Sequence, residues 1–276
     1  MFNRELINKQ KIIITDGMPS SGKSLVCNIV SSLPKVDQWV LDQHVDQTVA
    51  LNKIGKLDKE VSKFLLITNY NAFFHANLLL RHANFRKNDI TSLQNHKRFK
   101  ILKKRIIGNE KEIIKKFKNN VVVHYCVHFT AIAKRLFFET FKKNLIYIQV
   151  LRSPISLSMI KRIADWSISI EKIRSRDGHI KYFQKKTKKN LPYFLKNKSI
   201  EYLSANKYER AIMIIEANLN KETTNLKNFY NKYKSSEIII PFENLLKDPI
   251  KYLNKIRMLL NVKIDKFTFK SIKENN

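Results

Sequence analysis

The chain has 276 residues, 43% of them hydrophobic, and its 53 Lys and Arg outweigh 23 Asp and Glu to give a formal net charge of +30. That length suits one large α/β domain, or such a core with insertions. Only two cysteines, Cys27 and Cys126, occur, which excludes a disulfide scaffold; no run reaches the ~20 apolar residues of a membrane-spanning helix. Met1–Gln10 carries no apolar signal-peptide core, so the expectation is a soluble, cytoplasmic protein with buried thiols. The charge has two readings: a site for a polyanion such as nucleic acid or acidic glycan, or a solvated lysine-rich surface from an AT-rich genome.

In chain order, Ile12–Asp16 reads as a buried strand, and Gly17–Met18–Pro19–Ser20–Ser21–Gly22–Lys23–Ser24 follows at once. This is G-x-x-x-x-G-K-S, a phosphate-cradling loop that opens a helix whose apolar positions are Leu25, Val26, Ile29, Val30 and Leu33 and which Pro34 stops. Asp58–Asn84 fits one long helix or two. Val121–Val127 is β-branched and aromatic, as a buried parallel strand is. Thr130–Lys143 reads as helix, Leu145–Leu151 as strand, and a further helix starts at Pro154. Ala205–Tyr233 reads as a long amphipathic helix, Glu237–Pro241 as a fourth strand and Pro249–Leu260 as a final helix. This alternation predicts an α/β, three-layer P-loop fold: a mainly parallel sheet flanked by helices, with ligand at the strand carboxyl ends and helical insertions near 46–118 and 168–206.

The chemistry follows from the residue types. Gly17 and Gly22 let successive amides of Ser20, Ser21, Gly22, Lys23 and Ser24 face an anion, and the helix dipole adds to their pull. Lys23 brings a charge to the transferred group, and the Ser24 hydroxyl suits an oxygen or Mg²⁺. Kinases and motor ATPases need an acidic residue after a second apolar strand to hold Mg²⁺. Here the two candidate strands run into His128 and Arg152, and no N-K-x-D occurs. No protein-held metal is therefore expected. Transfer of a singly charged sulfuryl group needs none.

Leu151–Arg152–Ser153–Pro154 after a strand resembles the R-x-P element of the sulfotransferase family. The segment Ile239–Ile240–Pro241–Phe242–Glu243–Asn244–Leu245, with Asp248–Pro249 and its closing helix, is similar to the E-x-L and D-P region near the end of that family, and Gly17–Gly22 resembles its phosphosulfate loop. The resemblance spans nearly the whole chain and implies one P-loop sulfotransferase-like domain over residues 1–276. It implies transfer of a sulfuryl group from 3′-phosphoadenosine 5′-phosphosulfate to a hydroxyl or amine acceptor, with Arg152 on the 3′-phosphate; the basic, aromatic insertions point to an anionic or a carbohydrate acceptor. Two departures stand out: the family's basic residue precedes the Ser-Gly pair, where this chain has Ser20, and the position eight after the arginine is Ile160, with Ser156 and Ser158 nearby as substitutes. For the acceptor base, Asp42 or His44 comes first, because the resemblance places a catalytic carboxylate after the loop's helix. By strand alternation His124 shares a face with Cys126 and His128 and is expected to wall a polar pocket or to join in catalysis. Arg81 and Arg86 would meet an acidic acceptor or lie solvated on a helix. The basic, aromatic runs Lys97–Arg105 and Lys181–Lys189 suit an acidic ligand or a solvated helical face. Two alternatives stay open: a small-molecule or nucleoside kinase using ATP with Mg²⁺, and a nucleic-acid-binding P-loop NTPase.

Overall fold

Strand β1 (Ile12–Asp16) is buried on both sides: Ile12 and Ile14 enter one apolar cluster and Ile13 another. That is why the stretch reads as an unbroken apolar run rather than an alternation. In this computed structural model, which describes residues 4–128, 133–153, 156–172, 179–223 and 236–275, β1 is the centre of a five-stranded parallel sheet. After β1 come α1 (Lys23–Ser31), β2 (Val40–Leu41), α2 (Gln43–Lys53), α3 (Lys59–Leu78), and the shorter α4 (Phe99–Leu102), α5 (Lys104–Ile107) and α6 (Glu110–Phe117). Then follow β3 (Val123–Cys126), α7 (Lys134–Phe141), β4 (Leu145–Leu151), α8 (Leu157–Ser169), β5 (Lys181–Gln184) and β6 (Lys189–Pro192). The chain closes with α9 (Ser199–Ser204), α10 (Lys207–Thr223), β7 (Glu237–Pro241), α11 (Phe242–Lys247), α12 (Pro249–Leu260) and α13 (Lys266–Asn275).

The sheet order is β2-β3-β1-β4-β7. The winding reverses at β1, so its carboxyl end opens into the crevice where such sheets hold ligands. One face is covered by α1, α12 and α13 through Val26, Ile29, Leu253, Ile256 and Ile272. The other is covered by α2, α3 and α7 through Val45, Val49, Tyr70, Phe74 and Phe137. The α/β three-layer architecture is thus as expected. A third cluster joins α8, α10 and the β5–β6 hairpin, and Met18 of the glycine loop docks into it.

Strands β1, β4 and β7 and helix α12 have the expected bounds, and β3 is shorter, four residues within Val121–Val127. Helix α3 ends at Leu78 rather than Asn84, because Leu80 takes a left-handed conformation (φ 53°) and the Arg81 amide donates back to the Ala76 carbonyl (3.0 Å). That is the C-terminal turn glycine usually makes, set here by a leucine buried in the fold. Residues 130–132 and Pro154, expected in helix, and 224–233, expected to extend the helix of Ala205–Tyr233, lie outside the described residues. Lys181–Lys189 forms much of a hairpin, not a helix. Helix α12 is not the last: α13 follows and caps α1, its Thr268 and Ser271 hydroxyls donating to the carbonyls of Ser32 (3.0 Å) and Asn28 (3.4 Å). Among the described residues no helix is long and apolar enough to cross a membrane.

Candidate functional site

The loop between β1 and α1 turns as its residue types dictate. Gly22 sits at φ 94°, and a Cβ there would fall 2.0 Å from Cδ2 of Phe242. Gly17 is equally constrained: a Cβ would lie 2.6 Å from both the Val150 carbonyl and Ser21 Oγ. Asp16 is fully buried beneath the turn, its carboxylate accepting from the Gly17 amide (2.6 Å) and the Tyr147 hydroxyl (2.7 Å). The Lys23 ammonium, only 6% exposed, folds back over the loop to donate to the carbonyls of Gly17 and Met18. Ser21 Oγ is buried and has no hydrogen-bond partner among the described residues.

That set fits an anionic nucleotide tail. Among the described residues the hydroxyl has no partner and the ammonium is held by carbonyls, and both are groups that an anion would satisfy. Ser20 (φ 61°) and exposed Ser24 flank them.

The three sequence elements meet here. Arg152, just past β4, donates from Nη1 to the Ser20 carbonyl (2.7 Å), and its guanidinium lies 4.8 Å over the Phe242 ring. Phe242 therefore bridges Gly22 and Arg152, a role visible in the sequence only as part of the E-x-L segment. Glu243 Oε1 accepts from the Ser153 amide (3.1 Å), locking the R-x-P turn to the start of α11. Ser156 and Ser158 hydrogen-bond to each other (3.1 Å) at the start of α8, and among the described residues neither bonds to Arg152 or the loop.

Asp42 and His44, the expected bases, stand at the start of α2. Asp42 caps α2, accepting from the His44 amide (2.9 Å), and its other oxygen accepts from Asn69 Nδ2 (2.7 Å). His44 is exposed. One helical turn on, about 6 Å along the axis, Asp46 is buried and accepts from the His128 amide (3.1 Å), with His128 Nδ1 3.4 Å from its second oxygen. Burial raises the Asp46 carboxyl to about 7, although the His128 amide, His179 and Lys23 all oppose the rise. Burial, then the Lys23 charge, depresses the His128 imidazole to about 3. Tyr193 is shifted upward by burial and by the charges of Asp16 and Asp46. These mutual effects place Lys23, Asp16, Asp46, His128 and Tyr193 in one electrostatic neighbourhood. Trp166 and His179 close its outer side. Asp46 and His128 were within reach of sequence reasoning, since each follows a strand; what the sequence hid was that Asp46, not Asp42, turns inward.

His124 is not a pocket wall. It is fully enclosed, with Nε2 2.8 Å from Thr15 Oγ1 and Nδ1 3.0 Å from Ser31 Oγ, and burial depresses it to about 3. Cys27 and Cys126 are free buried thiols packed with Trp39. Arg81 pairs with Glu110 (3.1 Å) at the surface. In Lys97–Arg105 three of six bases serve the fold: Lys97 pairs with Glu274, Arg98 with Asp265 (2.6 Å), and buried Arg105 with Asp37 (2.6 Å). Among the described residues no group of three His, Cys, Asp or Glu side chains is placed to hold a metal ion.

No family model and no curated protein matches the chain by sequence. Similar solved structures include the sulfotransferase domain from the Synechococcus PCC 7002 olefin synthase, with a TM-score of 0.49 at 12% identity over 98% of this chain and 80% of that one. The sulfotransferase domain from the curacin biosynthetic pathway gives 0.44 at 13% identity over 95% and 77%. Sulfotransferase STF9 from Mycobacterium avium gives 0.45 at 9% over 96% and 67%. At such scores and identities the likeness says nothing of substrate or of residue roles.

Proposed function

We propose that the chain is a sulfotransferase that uses 3′-phosphoadenosine 5′-phosphosulfate, with Asp46 as the base for a hydroxyl or amine acceptor. The observation that carries this reading is the contact of Arg152 with the Ser20 carbonyl, which brings a second fixed cation to the rim of the glycine loop from the end of the neighbouring strand. A loop with Lys23 on one side and Arg152 on the other suits a nucleotide that is anionic at both ends.

The bound nucleotide supplies a sulfuryl group on a phosphate leaving group. Lys23 and the amides of Ser20 to Ser24 hold that phosphate and stabilise the negative charge that grows on its bridging oxygen. Arg152, stacked on Phe242, grips the far phosphate. Asp46 takes the acceptor proton; a carboxyl at about 7 is poised to be ionised yet basic enough to receive it near neutrality. His128 orients that carboxylate through its amide and ring.

One feature favours a second reading, an ATP-dependent kinase: Lys23 and Ser24 stand where a kinase loop carries them, and buried Asp46 lies within range of the Lys23 charge. Calorimetry with 3′-phosphoadenosine 5′-phosphate and with ATP, each with and without Mg²⁺, separates the two. Metal-independent binding of the 3′-phosphorylated nucleotide, lost in Lys23→Ala, is expected. Preference for Mg-ATP would overturn the proposal.

A further inference from the structure

Along the same face of α2 lies a cavity of about 520 Å³, within the range of small-molecule pockets. It opens between β2, the first turn of α2, one face of α3 and the segment that follows α3. Asp42 reaches its wall, one turn of α2 from Asp46. Its floor is aromatic: the rings of Phe73 and His82 stack nearly parallel (13°, centroids 5.9 Å apart), and Phe73 also touches Tyr125 (5.3 Å).

The charge of the lining is at odds with that of the chain. With 53 Lys and Arg in 276 residues, fifteen lining positions would carry about three if composition alone decided. Among the described residues none is Lys or Arg, and Asp42 is the one carboxylate. Among the described residues each Asp42 oxygen accepts one neutral N–H bond, one from the His44 amide and one from Asn69, which leaves acceptor capacity on both. Among the described residues no ion pair neutralises it. The rest of the wall offers the amides of Gln38, Asn69, Asn77 and Asn84, the imidazoles of His44 and His82, the Thr91 hydroxyl and apolar carbons. In a molecule of charge +30, a lining with one carboxylate and, among the described residues, no Lys or Arg is an exception to the surrounding surface.

We infer that this cavity binds a small aromatic molecule that is neutral or singly cationic, stacked on Phe73 and met by Asp42, and that it excludes anionic ligands. Resting on the sulfuryl-transfer reading, the same molecule is the acceptor, held one turn of α2 from Asp46. This argues against the anionic acceptor that the chain's charge suggests. The aromatic face supplies affinity for any ring, whereas the carboxylate decides sign: an amine gains a charge-assisted hydrogen bond, and a carboxylate meets repulsion with no Lys or Arg among the described lining residues to offset it.

Three near-isosteric probes test it by calorimetry at about pH 8: tyramine, para-ethylphenol and para-hydroxyphenylacetate, each with and without 3′-phosphoadenosine 5′-phosphate. The expected order is tyramine, then para-ethylphenol, with para-hydroxyphenylacetate at least about tenfold weaker than tyramine. Asp42→Asn, which keeps a helix-capping side chain, should erase the preference for tyramine over para-ethylphenol and leave the latter's affinity unchanged. Ala72→Trp, at an exposed position of α3 on the rim, should block both ligands while circular dichroism and Tm stay near those of the wild type. Equal binding of the anionic probe overturns the inference. So does absence of binding by all three probes in both conditions, or tyramine binding indifferent to both variants. Nucleotide binding in the same titrations is a separate readout: tyramine binding without it would sink the sulfuryl-transfer reading and leave the cavity assignment standing, and the converse holds.

Discussion

Asp46→Asn replaces a buried carboxyl by an amide of equal size, and it should make the protein more stable and catalytically inert together. The carboxyl's ordinary value is 3.8 and burial raises it to about 7 in the fold. A raised acid favours the folded state in its protonated form, so its contribution is complete below about pH 4, declines as the unfolded chain ionises, and is lost once pH has risen through about 7. About three units at 1.36 kcal/mol each makes the full loss about 4 kcal/mol. Between about pH 5 and pH 8 the wild type should lose about 2.5 kcal/mol relative to the asparagine variant, a difference in which any constant cost of the amide cancels. Urea unfolding of both proteins at three pH values measures it, provided the m-values agree. Turnover of the variant should fall by about a hundredfold or more with nucleotide binding retained, as loss of a general base entails. A stability gap that stays flat with pH would refute the burial argument. A wild-type rate that does not climb as pH rises through about 7 would refute the assignment of Asp46 as base.

Gly22→Ala should abolish nucleotide binding and lower stability by more than about 1 kcal/mol, since the new methyl meets the Phe242 ring and the backbone stands at φ 94°; an alanine variant that binds nucleotide with wild-type affinity would contradict the loop geometry. Arg152→Ala should lose the discrimination between 3′-phosphorylated and plain adenosine nucleotides, read as a ratio of dissociation constants, while Lys23→Ala weakens both. Arg105→Met takes the cation from buried Asp37, which keeps the Asn77 amide bond, and should cost about 3–5 kcal/mol in urea unfolding. Phe242→Leu should reduce nucleotide affinity through Arg152 without exposing the core, because the ring supports the guanidinium and covers Gly22; unchanged affinity in a titration would show that the stacking is incidental.

The sequence by itself determined the parts whose cause is local. An unbroken apolar run is forced into a doubly covered parallel strand, so β1, β4 and β7 could be read to the residue, and the glycine spacing marked the tight turn between β1 and α1. The order of strand, loop and helix then left little choice but an α/β sheet with its site at the end of β1. The tertiary structure decided whatever depends on partners distant in the chain. Helix α3 stops at a leucine in a glycine's conformation, which no propensity marks, and α13 exists where hydroxyls can take up the last carbonyls of α1. Asp42 and Asp46 are the same residue type one helical turn apart, and only the packing of His128 against α2 buries one and leaves the other as a cap and cavity wall. Half the bases of a run that reads as a polyanion site are held by Asp37, Asp265 and Glu274, from segments before and after it in the chain. Charge in a sequence is a sum over residues; where it acts depends on which of those residues the fold has already neutralised.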